Sequence, residues 1–352
     1  MSATAAPAPP PTDERIAKVN PIRAFFSRPE AGAISGAIAI WLVFALYPVS
    51  QAGFLSPRGT ASYLEVAAEL GILAVPVALL MIGGEFDLSI GSVIGICGMV
   101  TAMLATEIGW NIWPALAVSL LVALVIGVLN GFIVVRTGLP SFIVTLATLF
   151  MVRGLTIAIT RLVTGRTQIG KLKEAAGYDS AAFIFAKEIS IGGITLPVSI
   201  LWWIGLVILG TWLLQRTQFG NWIYGVGGNP QSARNVGVPD DKVKIILFMC
   251  TAASAWLLST IQATTYGGTD VLRGENREFY AIIAAVIGGN LLTGGYGSVV
   301  GAAFGALIYG MIQQGVVYAG IDADWVQFFL GAMLLVAVLV NRAIRARAMG
   351  GK

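Results

Sequence analysis

RTQFGNWIYGVGGNPQSARNVGVPDDKVK, residues 216–244, is a polar island between two long apolar blocks. Its middle carries the punctuation of one very short helix. Asn229 has a side chain able to cap free backbone N–H groups, Pro230 fits the first helical position, and Gly237, with Pro239 just beyond, marks the end. The helix expected between them comprises Pro230, Gln231, Ser232, Ala233, Arg234, Asn235 and Val236, a rod of only about 10 Å. So short a helix is marginal alone in water, so it has to be held against something larger. The expected support is a second protein.

Outward from the island, composition fixes the solvent. The 352 residues are 57% hydrophobic and 11% charged, where soluble domains carry about 25% charged residues. This is an integral membrane protein. Its 43 glycines suit closely packed transmembrane helices. There is no histidine, and Cys97 and Cys250 both sit in apolar runs, which argues against a disulfide framework and a thiolate metal site. An intramembrane enzyme would lack a Ser–His or Cys–His pair to activate a nucleophile. The basic residues cluster at span ends, where topology explains them without nucleic acid.

At about 20 residues per span, about ten spans are expected, near 32–51, 63–83, 88–107, 113–135, 141–161, 196–215, 243–264, 278–290, 297–318 and 325–341. The fold class is all-α, in two repeat-related halves with short broken or re-entrant helices. Segment 278–290 is the short one; such backbone is tolerated at membrane depth only when buried in protein or lining a water-filled path. Residues 1–30 read as a disordered cytoplasmic tail, 31–341 as the transmembrane domain with the loop 216–244 inside it, and 342–352 as a basic cytoplasmic tail. With both termini inside, thirteen basic residues fall on the island's side and eight on the other: Arg58, Arg273 and Arg277, and five from Arg161 to Lys187 in and beside the loop 162–195.

Repetition is the second signal. Gly83-Gly84-Glu85-Phe86-Asp87-Leu88-Ser89-Ile90-Gly91-Ser92-Val93-Ile94-Gly95 in the first half is answered by Gly288-Gly289-Asn290-Leu291-Leu292-Thr293-Gly294-Gly295-Tyr296-Gly297-Ser298-Val299-Val300-Gly301 in the second. Matched glycine-interrupted segments point to a transporter's central pathway. Gly84, Asp87, Ser89, Gly91, Gly288, Gly289, Gly294 and Gly295 are the pathway or gating candidates. Taken singly, Gly91/Gly95 and Gly301/Gly305 read as helix-packing faces.

Four ordered stretches, GGEFDLSIGS, GLPSFIVTL followed by Arg153-Gly154, GGNPQSARNVGV and AAVIGGNLLTGGYGSVVG, together resemble the ribose/xylose/galactose-type permeases of bacterial ABC importers. The resemblance implies an inner-membrane permease that imports a monosaccharide or related polyol and works as a dimer. It implies a cytoplasmic ATP-binding subunit, which holds the ATP and magnesium, and a periplasmic substrate-binding protein. It makes residues 229–237 the coupling helix. The chain departs from the family's Gly-Gly-Ile-Asp-Leu-Ser at Glu85-Phe86 and from its Glu-Leu-Asp-Ala-Ile at Phe279-Tyr280.

A sugar path calls for modest hydrogen-bonding groups; Asn130, Thr145, Thr148, Gln262, Gln313 and Gln314 are the candidates, with interhelical hydrogen bonding as the plainer role for each. Asp87 is expected to cap the following helix, Glu65 and Glu69 to lie one turn apart near the outer edge, and Arg153 to form an ion pair or helix-end hydrogen bonds. The P-loop-like run from Gly165 to Gly170-Lys171 has Leu172 where Ser or Thr should hold magnesium, so the chain is not expected to hydrolyse ATP. Alternatives are a nucleoside or other small-solute importer and an ion-coupled secondary transporter, the latter disfavoured by scarce mid-span carboxylates.

Overall fold

The computed structural model describes residues 30–348. The expected N-terminal tail lies outside them apart from Glu30, as do residues 349–352 of the expected C-terminal tail. The helices are α1 (Ala31–Leu46), α2 (Pro48–Phe54), α3 (Pro57–Ile82), α4 (Ile90–Ala102, continued by a π turn Met103–Glu107), α5 (Ile112–Thr137), α6 (Ser141–Thr164), α7 (Tyr178–Phe185), α8 (Ser199–Arg216), α9 (Gln218–Gly228), α10 (Pro230–Asn235), α11 (Asp240–Tyr266), α12 (Arg277–Ile287), α13 (Val299–Tyr318) and α14 (Trp325–Ala348). Two short antiparallel pairs lie at the end remote from the island: β1 (Gln168–Ile169) with β4 (Thr269–Asp270), and the hairpin β2 (Glu188–Ile191) with β3 (Ile194–Pro197).

Each expected span contains helix, but the count of about ten full crossings is corrected. Among the described residues seven helices are long and apolar enough to cross a bilayer, or eight if α1 and α2 form one bent span. That pair turns through 106°, because Pro48 opens α2 and has no N–H with which to continue α1. Helix α12 has 11 residues, about 16 Å, half of a bilayer core. The apolar part of α14 is Trp325–Leu339.

Helix α3 is the axis of the bundle. The most apolar stretch of α3 is 89% buried, against 28% for α8 and 33% for α6, as expected of a helix that is apolar all round. It packs on α8, α11, α12 and α13. Helices α5, α6 and α8 instead turn Phe132, Phe150, Ile208 and Trp212 outward, the apolar belt that lipid requires.

The two repeated segments close their helices by the same device. After α3, Gly84 N–H donates to Met81 O and Glu85 N–H to Leu80 O, with Gly84 at φ +86°. After α12, Gly289 N–H donates to Val286 O and Asn290 N–H to Ala285 O, with Gly289 at φ +90°. Both are Schellman ends, which need a residue without a Cβ at the left-handed position.

Before α12 the chain descends into the bundle without helix. The carbonyls of Val271 and Arg273 lie against Gly95, and that of Gly274 against Gly91, so α4's small-residue face seats backbone rather than another helix. The segment 278–290 thus belongs to a broken span. Arg277, counted above with the far-side loops, instead reaches Glu69 at 3.4 Å, halfway along α3. Glu69 itself is buried there and not at the edge.

Candidate functional site

The island folds as its punctuation dictates. Asn229 Oδ1 accepts from Ser232 N–H at 2.9 Å, capping α10. The helix ends at Asn235, one residue before the expected Val236, in a third Schellman end: Gly237 at φ +85°, its N–H on Arg234 O, and Val238 N–H on Ala233 O. Only Ala233 of α10 is buried; Pro230, Gln231, Ser232, Arg234 and Asn235 are exposed, as is Val236 just beyond. Arg234 grips Asp240 with both Nε (3.1 Å) and Nη2 (2.5 Å), and this hydrogen bonding raises the guanidinium pKa further above its ordinary value.

Helix α9 carries the island into the bundle, where it meets both repeats at one point. Gly227 stands where any Cβ would strike Ile82 O and come within 2.7 Å of Gly295 N. Gly295 N–H donates to Ile82 O at 2.8 Å, and Gly294 lies against Gly84 and Gly227 O. Three backbone segments, 82–84, 227–228 and 294–295, therefore touch without side chains between them. Rigid backbone contact leaves little slack. Tyr224 Oη adds a hydrogen bond to Gly297 O at 3.0 Å.

The first glycine turn is also laced to its neighbours. Asp87, 1% exposed, accepts from Ser89 N–H (2.9 Å) and Ser89 Oγ (2.6 Å) with Oδ1, and from Thr251 Oγ with Oδ2 (2.6 Å). It therefore bonds the N-cap residue and α11 rather than the first-turn N–H groups of α4. Thr148 donates to Asn130 Oδ1 (2.7 Å), and Asn130 Nδ2 to Ser89 Oγ (2.9 Å). Thr145 accepts from Leu88 N–H, and Ser141 from Phe86 N–H, both at 3.0 Å. Glu85, the departure from the family pattern, meets Lys244 of α11 at 2.5 Å. Asp87→Ala would strand two buried donors of Ser89, its N–H and its hydroxyl, while Thr251 keeps Phe248 O as an acceptor at 2.9 Å; each hydrogen bond to a charge contributes about 1.5–3 kcal/mol. A fall in melting temperature is expected, with Asp87→Asn closer to wild type, measurable by thermal unfolding in detergent.

Among the path candidates, Asn130, Thr145 and Thr148 thus gather with Asp87 and Ser89 around the turn. Gln262 lies apart, donating to Glu69 Oε2 at 2.9 Å. Gln313 and Gln314 are half-buried on α13. Gly91 faces Glu278 and Gly274, while Gly288 packs on Gly301. Arg153 makes the expected ion pair, Nη1 to Glu275 Oε1 at 3.5 Å, with Glu278 Oε1 at 3.9 Å. Lys171 of the P-loop-like run leads into a 3-10 turn, Leu172–Glu174, with no helix N-terminus to cradle phosphate. The sequence alone assigns no contact to Ser141, Thr251, Lys244 or Arg277; Ser141, Thr145 and Thr148 share one helix face, a spacing that marks the first.

Comparison with known proteins places this geometry. Residues 59–338 match the family model described as branched-chain amino acid transport system / permease component. The chain is 30% identical to the xylose transport system permease protein XylH of Escherichia coli (strain K12), over 95% of this chain and all of the relative. The chain belongs to the ABC importer permease family. The permease is likewise 30% identical to the autoinducer 2 import system permease protein LsrD of Klebsiella pneumoniae, over 78% of this chain and 80% of the relative. With the inner membrane ABC transporter permease protein YjfF of Escherichia coli it shares 30% over 87% and 91%. Membership makes this a multi-pass transport subunit rather than an enzyme, of a kind that works with ATPase and substrate-binding partners.

Proposed function

We propose that this permease moves a monosaccharide or related polyol into the cytoplasm as a homodimer, driven by a separate ATPase and loaded by a periplasmic binding protein. One observation carries the reading: α9, which leads into the exposed α10, touches both glycine turns backbone to backbone. Closure of the ATPase pushes on α10, seated through Ala233. Gly227 passes the displacement to the turn that ends α3 and to the turn that precedes α13. Because α3 and α13 pack extensively on each other, shifting both ends rocks the central pair and switches access to the path. ATP and magnesium stay on the partner. The island side is cytoplasmic, as the excess of Lys and Arg there supports. The xylose and autoinducer 2 in the relatives' names support a small polyhydroxy cargo.

The test is uptake of radiolabelled pentoses, hexoses, polyols and nucleosides by cells making this protein with and without its ATPase and binding protein. Uptake that requires all three is expected, with a pentose, hexose or polyol as the substrate. Uptake by this chain alone, abolished by an ionophore, would overturn the reading.

A further inference from the structure

We propose that the cleft between the first half of α3 and the β2–β3 hairpin is a binding site for a neutral polyhydroxy molecule, with Glu65 and Glu69 as its hydroxyl acceptors. The cleft holds ≈ 500 Å³, within the range of about 300–1,000 Å³ typical of small-molecule sites. Its rim carries the exposed Arg58 and Glu188, and its wall follows α3 inward past Glu65 to Glu69, eleven residues or about 16 Å. It therefore runs from the end remote from the island to the middle of the membrane-spanning helix, the depth at which transporters hold their cargo.

The floor is built for hydroxyl groups. Glu69 is 9% exposed and its Oε2 is held by Gln262 (2.9 Å) and Arg277 (3.4 Å), while among the described residues no hydrogen bond engages its Oε1. Ser199 lines the same cleft, is 3% exposed, and its Oγ has no partner among the described residues. The Oε1 of Gln262, behind Glu69, is likewise unpartnered there. Buried polar groups left unpaired are costly unless a ligand or water meets them. Carboxylates accept from sugar hydroxyls, whereas a phosphate or carboxylate ligand would meet the charges of Glu65, Glu69 and Glu188 and be repelled. That excludes an anionic cargo, and with the polyhydroxy cargo proposed above it leaves a neutral one. Arg277 opens the half-helix α12, so an occupant competing for Glu69 acts on the element whose far end is the second glycine turn.

The assignment rests on the transport reading, yet its test needs no uptake, so the two fail separately. In the full chain with Cys97 and Cys250 replaced by alanine, Ser62→Cys places a thiol in the cleft wall. The rate of labelling by a membrane-impermeant maleimide is then measured against rising D-xylose, D-ribose, D-galactose and xylitol, with glucose 6-phosphate as the anionic control. Protection by at least one neutral compound, and none by the phosphate, is expected. Adding Glu69→Gln should raise the half-protecting concentration about tenfold or more relative to the same protein without it, the scale of one lost hydrogen bond to a charge. Labelling indifferent to every neutral compound overturns the site. Equal protection by the phosphate overturns the ligand class, and unchanged protection in Glu69→Gln overturns the acceptor role.

Discussion

Gly227→Ala is expected to cut uptake by about tenfold or more, and Gly227→Val to abolish it, while both chains still reach the membrane. Even a methyl group here strikes Ile82 O and crowds Gly295 N, the two atoms that join the repeats by hydrogen bond. Overpacking of this kind costs about 1–3 kcal/mol, equivalent to about 5- to 150-fold in a conformational equilibrium. The penalty falls on whichever state keeps the three glycine segments in contact, so the balance between access states shifts. Uptake assays paired with quantification of membrane-inserted protein check the expectation. Wild-type uptake in Gly227→Val would remove the junction from the mechanism.

Ala233→Trp and Arg234→Glu are expected to uncouple the permease from its ATPase. Ala233 is the single buried residue of α10 and lies 3.7 Å from where a Cβ on Gly225 would stand. An indole there lifts the helix off α9. Arg234→Glu replaces the two-pronged grip on Asp240 by two facing carboxylates. In either variant the outer surface of α10 no longer sits where the partner meets it. ATP hydrolysis by the assembled complex should lose its stimulation by loaded binding protein, and uptake should fall about tenfold or more, the scale of a misplaced contact worth about 1.4 kcal/mol. Retained stimulation in both would mean the coupling contact lies elsewhere.

How much of this was legible in the sequence follows from how local each signal is. Asn229, Pro230 and Gly237 act within one turn of helix, so the short helix between them could be read to within a residue. The Gly-Gly pairs foretold their turns for the same reason. Their meeting at Gly227 could not be read, because a contact between backbones leaves no side-chain pattern. The broken span was half legible: segment 278–290 is too short to cross, yet the chain before it has no helical period and looked like surface loop. That is why Arg277 was placed outside, when its partner Glu69 stands 208 residues away. Asn130, Thr145 and Thr148 were recognisable as inward-facing polar groups, but which neighbour each bonds depends on tertiary packing alone.

The most direct test of the coupling claim is the number of substrate molecules accumulated per ATP hydrolysed, measured in proteoliposomes holding the permease, its ATPase and loaded binding protein, for wild type and Gly227→Ala. That substitution leaves the exposed surface of α10 untouched. Hydrolysis should therefore remain stimulated while substrate moved per ATP collapses. An unchanged ratio in Gly227→Ala would contradict transmission through the glycine junction.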